Sequence, residues 1–170
     1  MTSPPPAAAP PGGALGATTD VSFLLQHTAH VLTTRMTAAL AEIGMSPREH
    51  CVLAHAAQQD RTQAQIAELS DLDKTTMVVT ADSLEKAGLA ERVPSPTDRR
   101  ARIIRVTESG AEVVRKGQAI VDRVHQEVLD ALAEPERAVF VAALSGLATG
   151  LLAEPVECPE VVRRPRQSRK

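Results

Sequence analysis

Four arginines, Arg99, Arg100, Arg102 and Arg105, fall almost in a row behind the loop-forming run Pro94-Ser95-Pro96-Thr97-Asp98. Guanidinium groups at a loop tip suit pairing with phosphate oxygens and entry into a minor groove. Asp98 stands beside Arg99 and Arg100, where an ion pair with one guanidinium would orient the loop. A second chemical surface precedes the loop. Thr75, Thr76, Val79, Thr80 and Ser83 share one face at helical spacing, and their side chains are small and mostly uncharged. Such a face can approach base edges closely, and threonine can pair with several bases or touch a thymine methyl. Lys74 and the helix start at Thr62 and Gln65 are expected to hold phosphates. The arginine row alone reads equally well as a solvated hairpin tip. Beside a capped helix with a threonine-rich outer face, it points to double-stranded DNA.

These side chains need elements to aim them, and the flanking residues supply the signals. Thr62 and Gln65 have the spacing of a capping box, so a short helix starts there, with Ala64, Ile66, Ala67 and Leu69 giving it an apolar character. Ser70-Asp71 ends it, and Leu72 is expected to tuck under the turn. Asp73 caps a second helix, from Asp73 to Ala87. Its inward face is Met77, Val78, Ala81 and Leu84, with the stem of Glu85, and Gly88 takes the left-handed position after its end. Ala90–Val93 and Ile103–Val106 read as two strands, and the Pro/Asp/Arg-rich loop between them forbids a helix. The order is helix, turn, helix, wing.

Longer helices flank this stretch. Thr18–Ile43 carries a wide apolar stripe from Val21 to Leu40, is capped by Thr19 or Asp20, and is closed by Gly44. Ser46-Pro47-Arg48-Glu49 is a helix start with cap, first-position proline and capping box, and Val52, Leu53 and Ala56 point inward from the helix over 47–58. Thr107 caps a helix to about Ala133, with its stripe from Val113 to Leu132. Pro135 opens a last helix to Leu152, on which Val139, Phe140, Ala143, Leu144, Leu147 and Leu151 repeat at three and four. The first helix and the last two have more apolar face than one small lobe covers, so a partner subunit is expected.

No enzyme constellation is present: no phosphate-cradling glycine loop, no HExxH and no nucleophile elbow. The chain reads as a non-enzyme. Cys51 and Cys158 have neither metal spacing nor an evident pairing, which fits a reduced, cytoplasmic setting. Cys51 next to His50 reads either as a buried small side chain or as an activated thiol. His27 and His30 share a face of the first helix.

The run IAELSDLDKTTMVVTADSLEKAGLAER, the wing PSPTDRR and the exit VTESG resemble the winged helix-turn-helix of the MarR (multiple antibiotic resistance regulator) family. With the flanking helices the resemblance spans roughly residues 20–153. It implies a mainly α fold with a small β-hairpin wing and a helical dimerisation base. It assigns dimerisation helix one to 18–45, a DNA-binding lobe to 46–106 and dimerisation helices to 107–153, while composition alone reads the Pro/Ala/Gly-rich residues 1–17 as a disordered arm and the aperiodic residues 154–170 as a basic tail. It further implies a small anionic or phenolic effector, held between dimer base and DNA lobe; here Arg35, His27, His30 and His50 are the residues at hand. Zinc-sensing relatives draw ligands from the same regions, which makes Glu49, His50 and His30 the metal candidates, but only a lone His125 stands where those relatives have a histidine cluster. Peroxide-sensing relatives use a first-helix cysteine with tyrosine partners, and this chain has neither.

The 170 residues carry a net charge of −2, so positive charge is local to the wing and the C-terminus rather than general. A site-specific DNA binder needs only such a local footprint. Trp and Tyr are absent and Phe occurs twice, which argues against stacking on single-stranded nucleic acid. No apolar run is long enough to span a membrane, and the N-terminus lacks the pattern of a signal peptide. The reading is a homodimeric, sequence-specific regulator binding a near-palindromic double-stranded operator, a repressor released by a small ligand. Its rivals are a zinc- or redox-responsive regulator of the same fold and a winged-helix protein-interaction module without DNA binding.

Overall fold

A computed structural model describes residues 20–156. The expected arm at 1–17 lies outside the described residues, as do Cys158 and the basic residues of the tail. Six helices and one hairpin follow in order: α1 Val21–Leu40, α2 Pro47–Gln58, α3 Gln63–Leu69, α4 Lys74–Lys86, β1 Ala90–Pro94, β2 Arg102–Val106, α5 Glu108–Asp130 and α6 Glu134–Thr149. The chain divides into two compact units, one up to Val124 and one from His125. Among the described residues no helix is long and apolar enough to cross a membrane.

Local chemistry sets the helix starts. Asp20 accepts the Phe23 amide and opens α1. Ser46 and Glu49 close a reciprocal capping box on α2, and Thr62 and Gln65 do the same on α3. Asp73 accepts the Thr76 amide at the start of α4. Each such cap contributes about 1 kcal/mol by satisfying a backbone donor that the helix leaves open. Thr107 Oγ1 accepts the Gly110 amide at the start of α5. The α-helical part of the first helix is shorter than expected: after Leu40 the chain tightens into a 3₁₀ turn, Ala41–Ile43, before Gly44 at φ 69°. The last helix likewise ends at Thr149 rather than Leu152.

The hairpin is antiparallel, pairing Ala90 with Val106 and Pro94 with Arg102. The far edge of β2 is covered as well. Thr62 forms a bridge to Ile103, and the Ile104 amide donates to the Arg61 carbonyl. The start of α3 is thereby tied to the wing. The turn between α3 and α4 runs through Asp71 at φ 50°, a conformation that a short polar side chain tolerates.

In the first unit, α2, α3, α4 and the hairpin enclose one core of Val52, Leu53, Ile66, Met77, Ala81, Leu84, Ala90 and Ile104, with Leu72 packed against it under the turn. Burying each large side chain stabilises the lobe by about 1.5–3 kcal/mol. One expected inward residue, Val78, faces out, and Leu69 of the apolar α3 is exposed as well. A second cluster joins Met36 and Leu40 of α1 to Val124 of α5. Leu32 and Ala39 of the expected stripe on α1 pack against it, whereas Val21, Leu24 and Val31 are exposed. In the second unit Arg137 bonds Asp130 at 2.9 Å and the Leu132 carbonyl, fixing the entry to α6. Val139, Phe140, Leu144 and Leu147 on α6 are all exposed.

Candidate nucleic-acid interface

The start of α3, the start of α4 and the loop end of the wing enclose an open groove of about 610 Å³. Thr62, Lys74, Arg100 and Arg102 line it, so four of the residues singled out in the sequence meet in one place. Glu68 is the acidic residue on its wall. Arg99 and Arg100 are exposed, and neither has a carboxylate partner among the described residues.

Asp98 orients the wing, but not by the expected ion pair. Its Oδ1 accepts the Arg100 backbone amide at 2.8 Å, and its carbonyl accepts the Ala101 amide. Buried Ser95 completes the loop, its Oγ accepting the Thr97 and Asp98 amides. A tight turn brings the carboxylate to the backbone before any side chain reaches it, and that leaves both guanidiniums pointing to solvent. Arg102 is different: its Nη1 donates to the Arg99 and Ala101 carbonyls and folds back on the loop.

Within α4 the threonine face divides. Thr75 and Val79 are exposed beside Lys74. Thr76 is half-buried, and its hydroxyl donates to Asp73 Oδ2 at 2.5 Å. This bond, with the Thr76 amide, holds the Asp73 carboxyl below its ordinary value. Thr80 requires a correction. It is 5% exposed and donates to the Thr76 carbonyl, because its position lies between the inward residues Met77 and Ala81 and the outer face. It has no access to bases. Ser83 is exposed, but Glu49 Oε1 accepts its hydroxyl. Gln65 Oε1 is taken by the Thr62 amide and hydroxyl. The exposed side chains in the first half of α4 are therefore Lys74, Thr75, Val79 and the unexpected Val78.

Arg92 is the residue that the sequence did not single out. Its guanidinium reaches from β1 to Asp82, Glu85 and the Val78 carbonyl on α4, and to Gln63 on α3. The acidic pair three apart on α4 was a visible signal. The arginine that answers it lies beyond a turn, so spacing could not pair them.

A smaller cavity, about 290 Å³, lies between the end of α1, α2 and α5 within the first unit. Of the four expected effector residues only His50 lines it. His27, His30 and Arg35 are exposed on α1. The reason is helical phase: Met36 and Leu40 face the cavity, which turns Arg35 about 100° away, and His30 lies roughly 9 Å further along the helix. Apolar residues and the pair Cys51 and His55 form much of the wall. His50 Nε2 and His55 Nδ1 are buried without hydrogen-bond partners. Burial holds the His50 pKa below its ordinary value, against opposing contributions from the Val114 backbone and Asp122. His50 packs so closely on Gly117 that a Cβ there would sit 2.3 Å from its Cδ2.

The metal candidates Glu49, His50 and His30 are not brought together. Both Glu49 oxygens are engaged, by Ser46 and Ser83, and His50 is turned to α5. Among the described residues no group of three or more His, Cys, Asp or Glu side chains stands at metal-holding distance. Cys51 is half-buried, and its thiol meets the Ser70 hydroxyl at 3.6 Å.

A protein-family model described as the MarR family matches residues 43–101. Among solved structures, the chain is similar to a MarR-family transcriptional regulator from Rhodococcus sp. RHA1, at 26% identity and TM-score 0.71, over 79% of this chain and 96% of that one. It is similar to CouR from Rhodococcus jostii RHA1 bound to p-coumaroyl-CoA, at 27% identity and TM-score 0.70, over 85% of this chain and all of that one. The fold also matches MepR of S. aureus in complex with DNA, at 21% identity and TM-score 0.71, over 78% and 98% of the two chains.

Proposed function

We propose that this chain, whose residues 43–101 match a MarR-family model, is a homodimeric, sequence-specific DNA-binding transcription regulator, a repressor released by a small ligand. One observation carries the reading: the groove that joins Lys74, Arg100 and Arg102 beside the outward face of α4. Its cations suit phosphate oxygens. Lys74 and the start of α3 hold the backbone, Thr75 and Val79 face base edges in the major groove, and Arg99 and Arg100 reach the adjacent minor groove. Two lobes related by a two-fold axis would read half-sites about one helical turn apart. The DNA complex of MepR supports this reading through the shared fold.

The exposed apolar residues of α1, among them Phe23 and Leu24, and those of α6, among them Phe140 and Leu144, favour a second copy as their cover. The cavity at His50 is the effector site of this reading. CouR, a relative of comparable length, is described with a p-coumaroyl-CoA ligand. Among the described residues no Lys, Arg, Asp or Glu lines the cavity. That wall favours a neutral, largely apolar group over an anion, since a buried charge needs a partner.

The test is fluorescence anisotropy of the full chain on the DNA upstream of its own gene, against a scrambled duplex, at several salt concentrations. Tight, steeply salt-dependent binding to the first alone is the expected result. Equal, weak binding to both, with no preferred duplex recovered by selection from random-sequence DNA, would overturn the reading and favour a protein-interaction role for the winged helix.

A further inference from the structure

We propose that Arg92 is the positioning residue that fixes the angle of the wing against α4; the inference rests on the DNA-binding reading above. Its guanidinium spans three elements. From β1, Nη1 donates to Asp82 at 2.5 Å and to Glu85 at 2.7 Å, Nη2 to the Val78 carbonyl at 3.0 Å, and Nε to Gln63 at 3.2 Å. The Arg92 backbone amide adds a bond to Glu85 at 2.8 Å. Among the described residues no other side chain of Ala90–Val106 hydrogen-bonds to α3 or α4; the polar contacts of the wing tip are internal.

The geometry has a consequence at the tip. α4 and the wing must contact different grooves of one duplex at once, so their relative angle is part of the binding site. Arg92 holds that angle near the base of the hairpin, while Arg99 and Arg100 act at its far end. The arm between them is roughly 15 Å, so a pivot of about ten degrees moves the tip by roughly 2–3 Å. A phosphate or minor-groove contact does not survive that displacement. Only arginine offers a planar fork able to meet two carboxylates, a carbonyl and an amide together; lysine keeps the charge but not the fork.

The experiment is a double-substitution cycle on the full chain, read by anisotropy. Its probe is a duplex selected from random-sequence DNA by the unsubstituted protein. Four proteins are compared: unsubstituted, Arg92→Lys, Arg100→Ala and the pair. Arg92→Lys and Arg100→Ala should each weaken binding about tenfold. The pair should bind no more weakly than Arg92→Lys alone, because a misplaced wing has nothing further to lose. Arg92 and Arg100 do not touch, so independent roles would make the losses multiply. Multiplying losses, or wild-type binding by Arg92→Lys, would overturn the inference. A merely structural role would lower the melting temperature without this coupling. If Arg92→Lys does not fold, Gln63→Ala with Asp82→Ala loosens the same clamp and enters the same cycle. Failure of the unsubstituted protein to select any duplex would overturn the DNA-binding reading itself, and this inference with it.

Discussion

Glu49 Oε1 accepts the Ser83 hydroxyl at 2.6 Å, so one carboxylate joins the first turn of α2 to the flank of α4. Its Oε2 accepts the Ser46 amide at 2.9 Å and the Ser46 hydroxyl at 2.7 Å. The helix that walls the cavity and the helix proposed to read DNA thus share a polar joint.

That joint predicts an acid dependence. Burial raises the Glu49 pKa, but the Ser83 and Ser46 hydrogen bonds together outweigh it, and the net shift is downward from 4.5. A carboxyl depressed in the folded state contributes stability that is present above its unfolded pKa and lost as pH falls through the folded one. The melting temperature of the wild type should therefore drop below about pH 4.5, and Glu49→Gln should flatten that limb. Ser83→Ala should cost about 1 kcal/mol at neutral pH. Parallel acid limbs for wild type and Glu49→Gln would sink the assignment.

Thr80 and Val79 are neighbours with opposite expected effects. Thr80→Ala should lower the melting temperature and leave operator preference intact, because Thr80 is buried and bonded to its own helix. Val79→Ala should leave stability within about 0.5 kcal/mol and shift base preference at one position of each half-site. Binding measured on a set of single-base operator variants distinguishes the two.

The wing arginines predict a salt effect. Alanine at Arg99 or Arg100 should weaken binding on every duplex and reduce the slope of log affinity against log salt by about one each. Arg102 is bonded to two loop carbonyls, so Arg102→Ala should have a smaller slope change and loosen the loop instead. Slopes measured between about 50 and 200 mM salt carry the comparison.

Gly117 inverts a general rule. Glycine to alanine inside a helix normally gains about 1 kcal/mol. Here the new Cβ meets His50, so Gly117→Ala should destabilise by about 1–3 kcal/mol, and His50→Ala in the same chain should relieve the clash. His50 has a second signature. Its pKa is lowered from 6.5, chiefly by burial, so its unfolded form binds the proton first. Stability is complete above pH 6.5 and falls as pH drops below it, a slope that His50→Gln should remove. Thermal melts from pH 5 to 8, about the range in which an imidazole titrates, check both statements.

The winged arrangement was legible in the residues because its signals are local. Caps at Ser46, Thr62, Asp73 and Thr107, the stop at Gly88 and the proline-rich loop each act within a few residues of themselves. Helical phase separated Met77, Ala81 and Leu84 from Thr75 and Val79 for the same reason. Tertiary structure decided whatever depends on side chains distant along the chain. It buried Thr80 at the boundary of two faces, turned Asp98 to the backbone and left His27, His30 and Arg35 outside the cavity that His50 lines. It also joined Arg92 to Asp82 and Glu85, and Glu49 to Ser83. Helix period and capping are properties of neighbouring residues, whereas a clamp or a cavity wall exists only once packing has fixed which faces meet.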